Sequence, residues 1–176
     1  MPGGILKVDG FINHRIDAAL MAQCGEALAE KFRSTSPQLV LTAEISGIAP
    51  ALMTAASLEC SVVYARKERP VTMPVTAFTS SAPSRTKGKS TPLMVSPEFL
   101  QAGERVVIID DFLATGQTIR ALAELCRQAD SILVGVGALI EKPFEGARDY
   151  LSDLDVPIHS LAQITRLAEG VVEVAP

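Results

Sequence analysis

Asp110 and Asp111 stand side by side in "VVIIDDFLATGQT", residues 106–118, just ahead of a small turn that contains Gly116. Ala114, Thr115, Gly116, Gln117 and Thr118 bring backbone N–H groups and two hydroxyls to the point where a helix should open, the arrangement that cradles a phosphate. A helix N-terminus alone contributes only about 0.3–2 kcal/mol toward an anion, so amides and hydroxyls must act together. The carboxylates are no ligands for that phosphate: at about 4 Å and an effective dielectric of roughly 20, each like-charge pair costs about 4 kcal/mol. A sugar phosphate satisfies both halves, with its hydroxyls on Asp110 and Asp111 and its phosphate on residues 114–118. The plainer reading, that the acids cap the following helix, suits one acid better than a tandem pair.

Other residues extend this chemistry. In "EISGIAP", residues 44–50, Ser46 and Gly47 fall at a strand-to-helix turn where glycine lets a backbone approach a ligand; a plain packing turn is the alternative. Arg66, Lys67, Arg69, Arg85, Lys87 and Lys89 gather six cations in a stretch whose only acid is Glu68. In a chain of net charge −4 that local excess points to a polyanionic ligand, though residues 85–89 fit a solvated basic loop equally well. Lys142 follows the apolar run "ILVGVGALIE". Its ammonium can only donate, so beside a heterocycle it would serve carbonyl oxygens or a deprotonated ring nitrogen.

These residues need a scaffold, and the chain supplies alternating elements. Asp17 is a helix N-cap candidate, followed by Leu20, Met21, Cys24, Leu28 and Phe32 at the spacing of one helical face. "QLVLTA" (38–43) reads as a strand, "GIAPALMTAASLE" as a helix and "SVVYAR" (61–66) as a second strand, a βαβ unit with parallel pairing. Residues 67–104 leave this rhythm, and "PVTAFTS" and "STPLMVS" could pair as an antiparallel hairpin. The pattern resumes with a strand over 105–110, a helix whose inward face is Ile119, Leu122, Leu125, Cys126 and Ala129, and a strand over 132–141. Ligands of such sheets bind beyond the carboxyl ends of the strands, where the candidate loops lie.

Composition narrows the class. With 176 residues, 48% hydrophobic and 20% charged, the chain reads as one domain, 1–176, with a sizeable core, and it is too acidic for a dedicated nucleic-acid binder. Cys24, Cys60 and Cys126 share no metal spacing and suit a reducing compartment. His14 and His159 share none either, and no apolar run is long enough for a membrane span.

The acid pair and its loop resemble the phosphoribosyl pyrophosphate motif of type I phosphoribosyltransferases. "LKVDGFINHRID", "ISGIAP", "YARK" and "LIEKPFEGARD" are similar to the branch of that family that uses xanthine. The resemblance implies an α/β fold: a central, mostly parallel sheet flanked by helices, a flexible hairpin hood and a small N-terminal hood over the base. It implies 5′-phosphate binding by Ala114 to Thr118, and ribose contacts from Asp110 and Asp111 as catalytic groups. Ser46 and Gly47 would bind pyrophosphate, with Arg66 and Lys67 stabilising it as it leaves. Leu6, Asn13, Lys142 and Phe112 would bind xanthine, with Phe112 packing on the purine face. It further implies Mg2+ held mainly by substrate oxygens rather than by protein ligands, and a cytoplasmic homodimer with no nucleic-acid or membrane partner. Thr115 and Thr118 stand where relatives often have Asn and Ala, and Ala114 stands where 6-oxopurine enzymes place an acid/base Asp. Two alternatives remain: an adenine phosphoribosyltransferase, and a phosphoribosyl-pyrophosphate-sensing regulator of the same fold, whose added winged helix this length does not accommodate.

Overall fold

The computed structural model describes residues 6–83, 90–168 and 171–175. Helix α1 (Ala18–Phe32) starts where the Asp17 carboxylate accepts the N–H groups of Ala19 and Leu20, at 3.1 Å each. Its buried face is Met21, Gly25, Leu28, Ala29 and Phe32, so the expected stripe is rotated slightly: Leu20 is exposed and Cys24 half-buried. Replacing Asp17 by Ala leaves those two amides without their acceptor, and thermal unfolding should show a loss of about 1 kcal/mol. An unchanged melting temperature would show that water serves the amides as well.

Strand β1 (Leu39–Ala43), helix α2 (Ile48–Leu58) and strand β2 (Ser61–Ala65) form the expected βαβ unit, with β1 and β2 parallel. Every residue of β1 is buried, as a strand covered on both faces requires. Strand β3 (Phe78–Pro83) and strand β4 (Ser90–Val95) make the antiparallel hairpin as a separate two-stranded sheet, β3 starting at Phe78 because Pro74–Ala77 forms a turn. Gln128 fastens that hairpin to the body: its side chain accepts from Thr79 N–H at 3.1 Å and donates to Thr79 O at 3.0 Å. Arg85, Lys87 and Lys89 lie outside the described residues.

Strand β5 (Arg105–Leu113), helix α3 (Gln117–Gln128), strand β6 (Ile132–Glu141), the short helix α4 (Ala147–Tyr150), strand β7 (Ile158–Ala168) and strand β8 (Val171–Val174) follow. The main sheet runs β2-β1-β5-β6-β7-β8, parallel except for β8. One apolar layer packs Leu41, Ile108, Leu122 and Leu125 under α3; the other packs Val40, Val107 and Ile109 against Leu28 and Phe32 of α1. The N-terminal π-helical turn, Asp9–Asn13, buries Val8 and Ile12 in that second layer. One boundary differs from expectation. β5 does not stop at residue 110, because Phe112 still pairs with Ile140 and Leu113 with Glu141 across β6. Asp110 and Asp111 therefore belong to the strand and share its rigidity. Among the described residues no helix is long and apolar enough to cross a membrane.

Candidate active site

A cavity of about 320 Å3 opens at the carboxyl ends of β1 and β5, and Asp110, Asp111 and residues 114–118 all line it. Asp110 and Asp111 are 7% and 8% exposed. The Asp110 carboxylate accepts the Asp111 N–H at 3.0 Å, and that of Asp111 accepts the Phe112 N–H at 3.0 Å. Burial, and then the charge of Asp111, push the Asp110 carboxyl well above its ordinary range, while the Asp111 N–H and the more distant Lys67 pull it down. Such a pair is short of donors. Neighbouring hydroxyls of a ligand would supply them.

The turn after β5 takes the conformation that its glycine permits. Gly116 sits at φ +79°, and a side chain there would begin 3.0 Å from Leu151 Cγ. Arg120, one turn into α3, donates to Asp153 Oδ2 at 2.8 Å and to the Tyr150 carbonyl, and lies 5.2 Å over the Tyr150 ring. The segment after α4 is thereby pinned beneath the loop, a link between residues thirty positions apart that no local pattern announces.

Ser46 lines the same cavity from the turn after β1, and Gly47 packs onto β1 and β5 just behind it. The peptide between Glu44 and Ile45 is cis. Glu44 also lines the cavity; its carboxylate accepts the Lys67 N–H at 2.6 Å and pairs with Arg66 Nε at 2.9 Å. Of the two cations at the end of β2, Lys67 lines the cavity. Arg66 instead lies 5.7 Å over Tyr64 and lines a neighbouring, more apolar hollow of about 430 Å3 with Met94 and Phe99.

Phe112 lines the cavity, and Lys142 Nζ stands 5.7 Å from its ring centre. Lys142 is 9% exposed and lies 3.6 Å from Glu145. Its backbone N–H donates to Leu113 O at 2.9 Å, so the end of β5 sets its height. Leu6 packs against the same apolar cluster as Phe112, while Asn13 ends the π-helical turn and is exposed; neither lines the cavity among the described residues.

One group went unnoticed in the sequence. Glu141, fully buried, takes Arg148 on both oxygens at 2.7 and 2.8 Å, together with the Ser160 hydroxyl and the Gln163 amide. Burial pushes its carboxyl up, but the Arg148 and Ser160 hydrogen bonds outweigh that and hold it below the ordinary 4.5. A depressed folded value adds stability that is present above pH 4.5 and lost as pH falls through the folded value. The melting-temperature gap between the wild type and Glu141→Gln should therefore narrow on acidification below that point. A gap independent of pH would show that the network does not depend on this charge.

A mostly parallel sheet with a cavity at its carboxyl edge, lined by a carboxylate pair and a helix-opening loop, is the architecture of a phosphoribosyltransferase, and the phosphoribosyl transferase domain family matches residues 14–166. The chain is 50% identical over 170 residues to the xanthine phosphoribosyltransferase of Deinococcus deserti, spanning 97% of this chain and 88% of that one. It is 42% identical over 167 residues to that of Listeria innocua, spanning 95% and 87%. Among solved structures, the adenine phosphoribosyltransferase of Thermoanaerobacter pseudethanolicus matches with a TM-score of 0.73 at 28% identity, over 84% of this chain and 82% of that one. That of Rhodothermus marinus matches at 0.72 and 30%, over 82% and 80%. The chain belongs to the xanthine phosphoribosyltransferase family.

Proposed function

We propose that this protein transfers the 5-phosphoribosyl group from phosphoribosyl pyrophosphate to xanthine, forming xanthosine 5′-monophosphate and pyrophosphate for purine salvage. The observation that carries the reading is that one cavity joins a buried carboxylate pair to the loop 114–118, with Phe112 on its wall and Lys142 beside that ring. The bond from C1′ to pyrophosphate breaks as a purine ring nitrogen bonds to C1′. The sugar gains positive charge and the leaving group negative charge. Asp110 and Asp111 accept the ribose hydroxyls, which supplies the donors that pair lacks and places negative charge beside a cationic sugar. Ala114 to Thr118 hold the 5′-phosphate. Ser46 and Gly47 offer the turn that receives pyrophosphate, and Lys67 places its charge nearby. Arg66 would join it only by leaving Glu44 and Tyr64. Phe112 packs on the base, and Lys142 donates to its acceptor edge. Leu6 and Asn13 belong to the N-terminal segment that would cover the base.

Mg2+ suits a site whose own groups include the hard oxygen donors of Asp110 and Asp111. Its ligands would be pyrophosphate and ribose oxygens and water, and bound there it would neutralise charge on the leaving group. Ala114 offers no proton acceptor, which suits an acidic purine that arrives partly deprotonated. Three free thiols fit a cytoplasmic setting. Exposed Val71, Val75 and Phe99 fit a homodimer, which light scattering would read.

Absorbance assays with phosphoribosyl pyrophosphate, Mg2+ and each of xanthine, guanine, hypoxanthine and adenine test the reading. Xanthine should turn over fastest. Preference for adenine would overturn the base assignment, and binding without turnover would overturn the enzymatic one.

A further inference from the structure

Every side chain of β1 is buried, and all but one of them are apolar: Leu39, Val40, Leu41, Thr42 and Ala43. Thr42 is 0% exposed, and among the described residues its Oγ1 is the only buried hydroxyl with no hydrogen-bond partner. Valine would fill the same space without leaving a polar group unmet, so a threonine here calls for a use.

The surroundings of Gly47 show one. The point at which a side chain on Gly47 would begin collides with Thr42 Oγ1 and lies 2.8 Å from Asp110 Oδ1 and 3.2 Å from Ala43 O. Hydroxyl and carboxylate thus both border the space over the bare Cα of Gly47, from the neighbouring strands β1 and β5, with no hydrogen bond joining them in this structure. Whenever Asp110 is ionised its carboxylate can only accept, and a proton shared by the two groups then comes from the threonine hydroxyl. Asp110 Oδ1 already accepts the Asp111 N–H, and a carboxylate oxygen has room for a second donor. Ala43 O borders the same space, but a hydrogen bond to a charged acceptor is the stronger of the two.

We propose that Thr42 is a positioning residue of the active site: its buried hydroxyl is placed to donate to Asp110 when substrate binds, and so to aim that carboxylate at the ribose. Gly47 takes part because any larger residue would fill the space that both groups border. The inference rests on the role given to Asp110 above, and its test must separate the two.

The test is a double-mutant cycle on the full-length enzyme with phosphoribosyl pyrophosphate, xanthine and Mg2+. Thr42→Val should lower kcat/KM for phosphoribosyl pyrophosphate about tenfold, with KM for xanthine unchanged and a melting temperature no lower than that of the wild type. Thr42→Ser, which restores the hydroxyl alone, should recover most of that loss. In an Asp110→Asn background Thr42→Val should add less than a twofold effect, because the acceptor charge it serves is gone. If Thr42→Val does not fold, Thr42→Ala reports on the same hydroxyl without risk of a clash. Full activity of Thr42→Val beside an impaired Asp110→Asn would overturn the inference and leave the role of Asp110 standing. A tenfold loss that persists in the Asp110→Asn background, or that serine does not rescue, would overturn it too. Full activity of Asp110→Asn would remove the reading of the site and the inference with it.

Discussion

Changing Asp110 and Asp111 together to Asn should lower kcat/KM by at least about a hundredfold, near 2.7 kcal/mol, while the protein melts no earlier than the wild type. Both side chains keep their size and reach, and what disappears is two charges placed to accept ribose hydroxyls and to face a sugar that turns cationic. Stability should move the other way. The Asp110 carboxyl is raised by burial and by Asp111. A raised folded value gives stability present at low pH and lost as pH rises through that value, so toward neutral pH the buried Asp110 carboxyl weighs against the fold. Asn removes that burden. Steady-state kinetics beside thermal unfolding decide the matter: activity within a few-fold of the wild type would strip both residues of their role, and a collapsed melting temperature would make them structural.

Replacing Lys142 by Met should lower kcat/KM for xanthine roughly ten- to hundredfold, the span of about 1.5–3 kcal/mol expected for a hydrogen bond to a charged partner. Methionine keeps the apolar stem beside Phe112, 5.7 Å from the ammonium, and removes only the donor. The affinity for phosphoribosyl pyrophosphate should stay within twofold, since the loop 114–118 and Ser46 line the cavity and Lys142 stands outside that lining, beside Phe112. Adenine presents an amino donor at the corresponding edge, so the variant should also discriminate less against it. Removing the ammonium takes from Glu145 a counter-charge 3.6 Å away, and the companion variant Glu145→Gln separates that effect from the loss of base contact. Equal loss toward both substrates would sink the assignment of Lys142 to the base.

The class of the molecule and the loops that line its cavity were legible in the residues alone. A strand, two acids and a small-residue turn are specified by neighbours in the chain, so residues 106–118 could be read as one unit, and Asp110, Asp111 and residues 114–118 do line one cavity. The inward face of α3 was legible for the same reason: Ile119, Leu122, Leu125 and Cys126 are placed by helical spacing alone, and all are buried. Strand β6 was legible because a continuous apolar run can only be a covered strand in this setting. The N-terminal cap at Asp17 needed only its own backbone. Tertiary structure decided the rest, wherever a residue's role depends on a partner distant in sequence. Pairing with β6 extends β5 to Leu113 and draws the acid pair into the strand. Glu44, twenty-two positions back, holds Arg66 toward Tyr64 while Lys67 faces the cavity. Strands β7 and β8 carry no clean alternation, and sheet pairing assigns them. Glu141 looked like the polar end of a strand until Arg148, Ser160 and Gln163 closed around it. Thr42 looked like one more β-branched strand residue, and only the approach of β5 across Gly47 sets its hydroxyl before Asp110. Local spacing dictates which face a side chain takes; what it meets there depends on how distant strands pack.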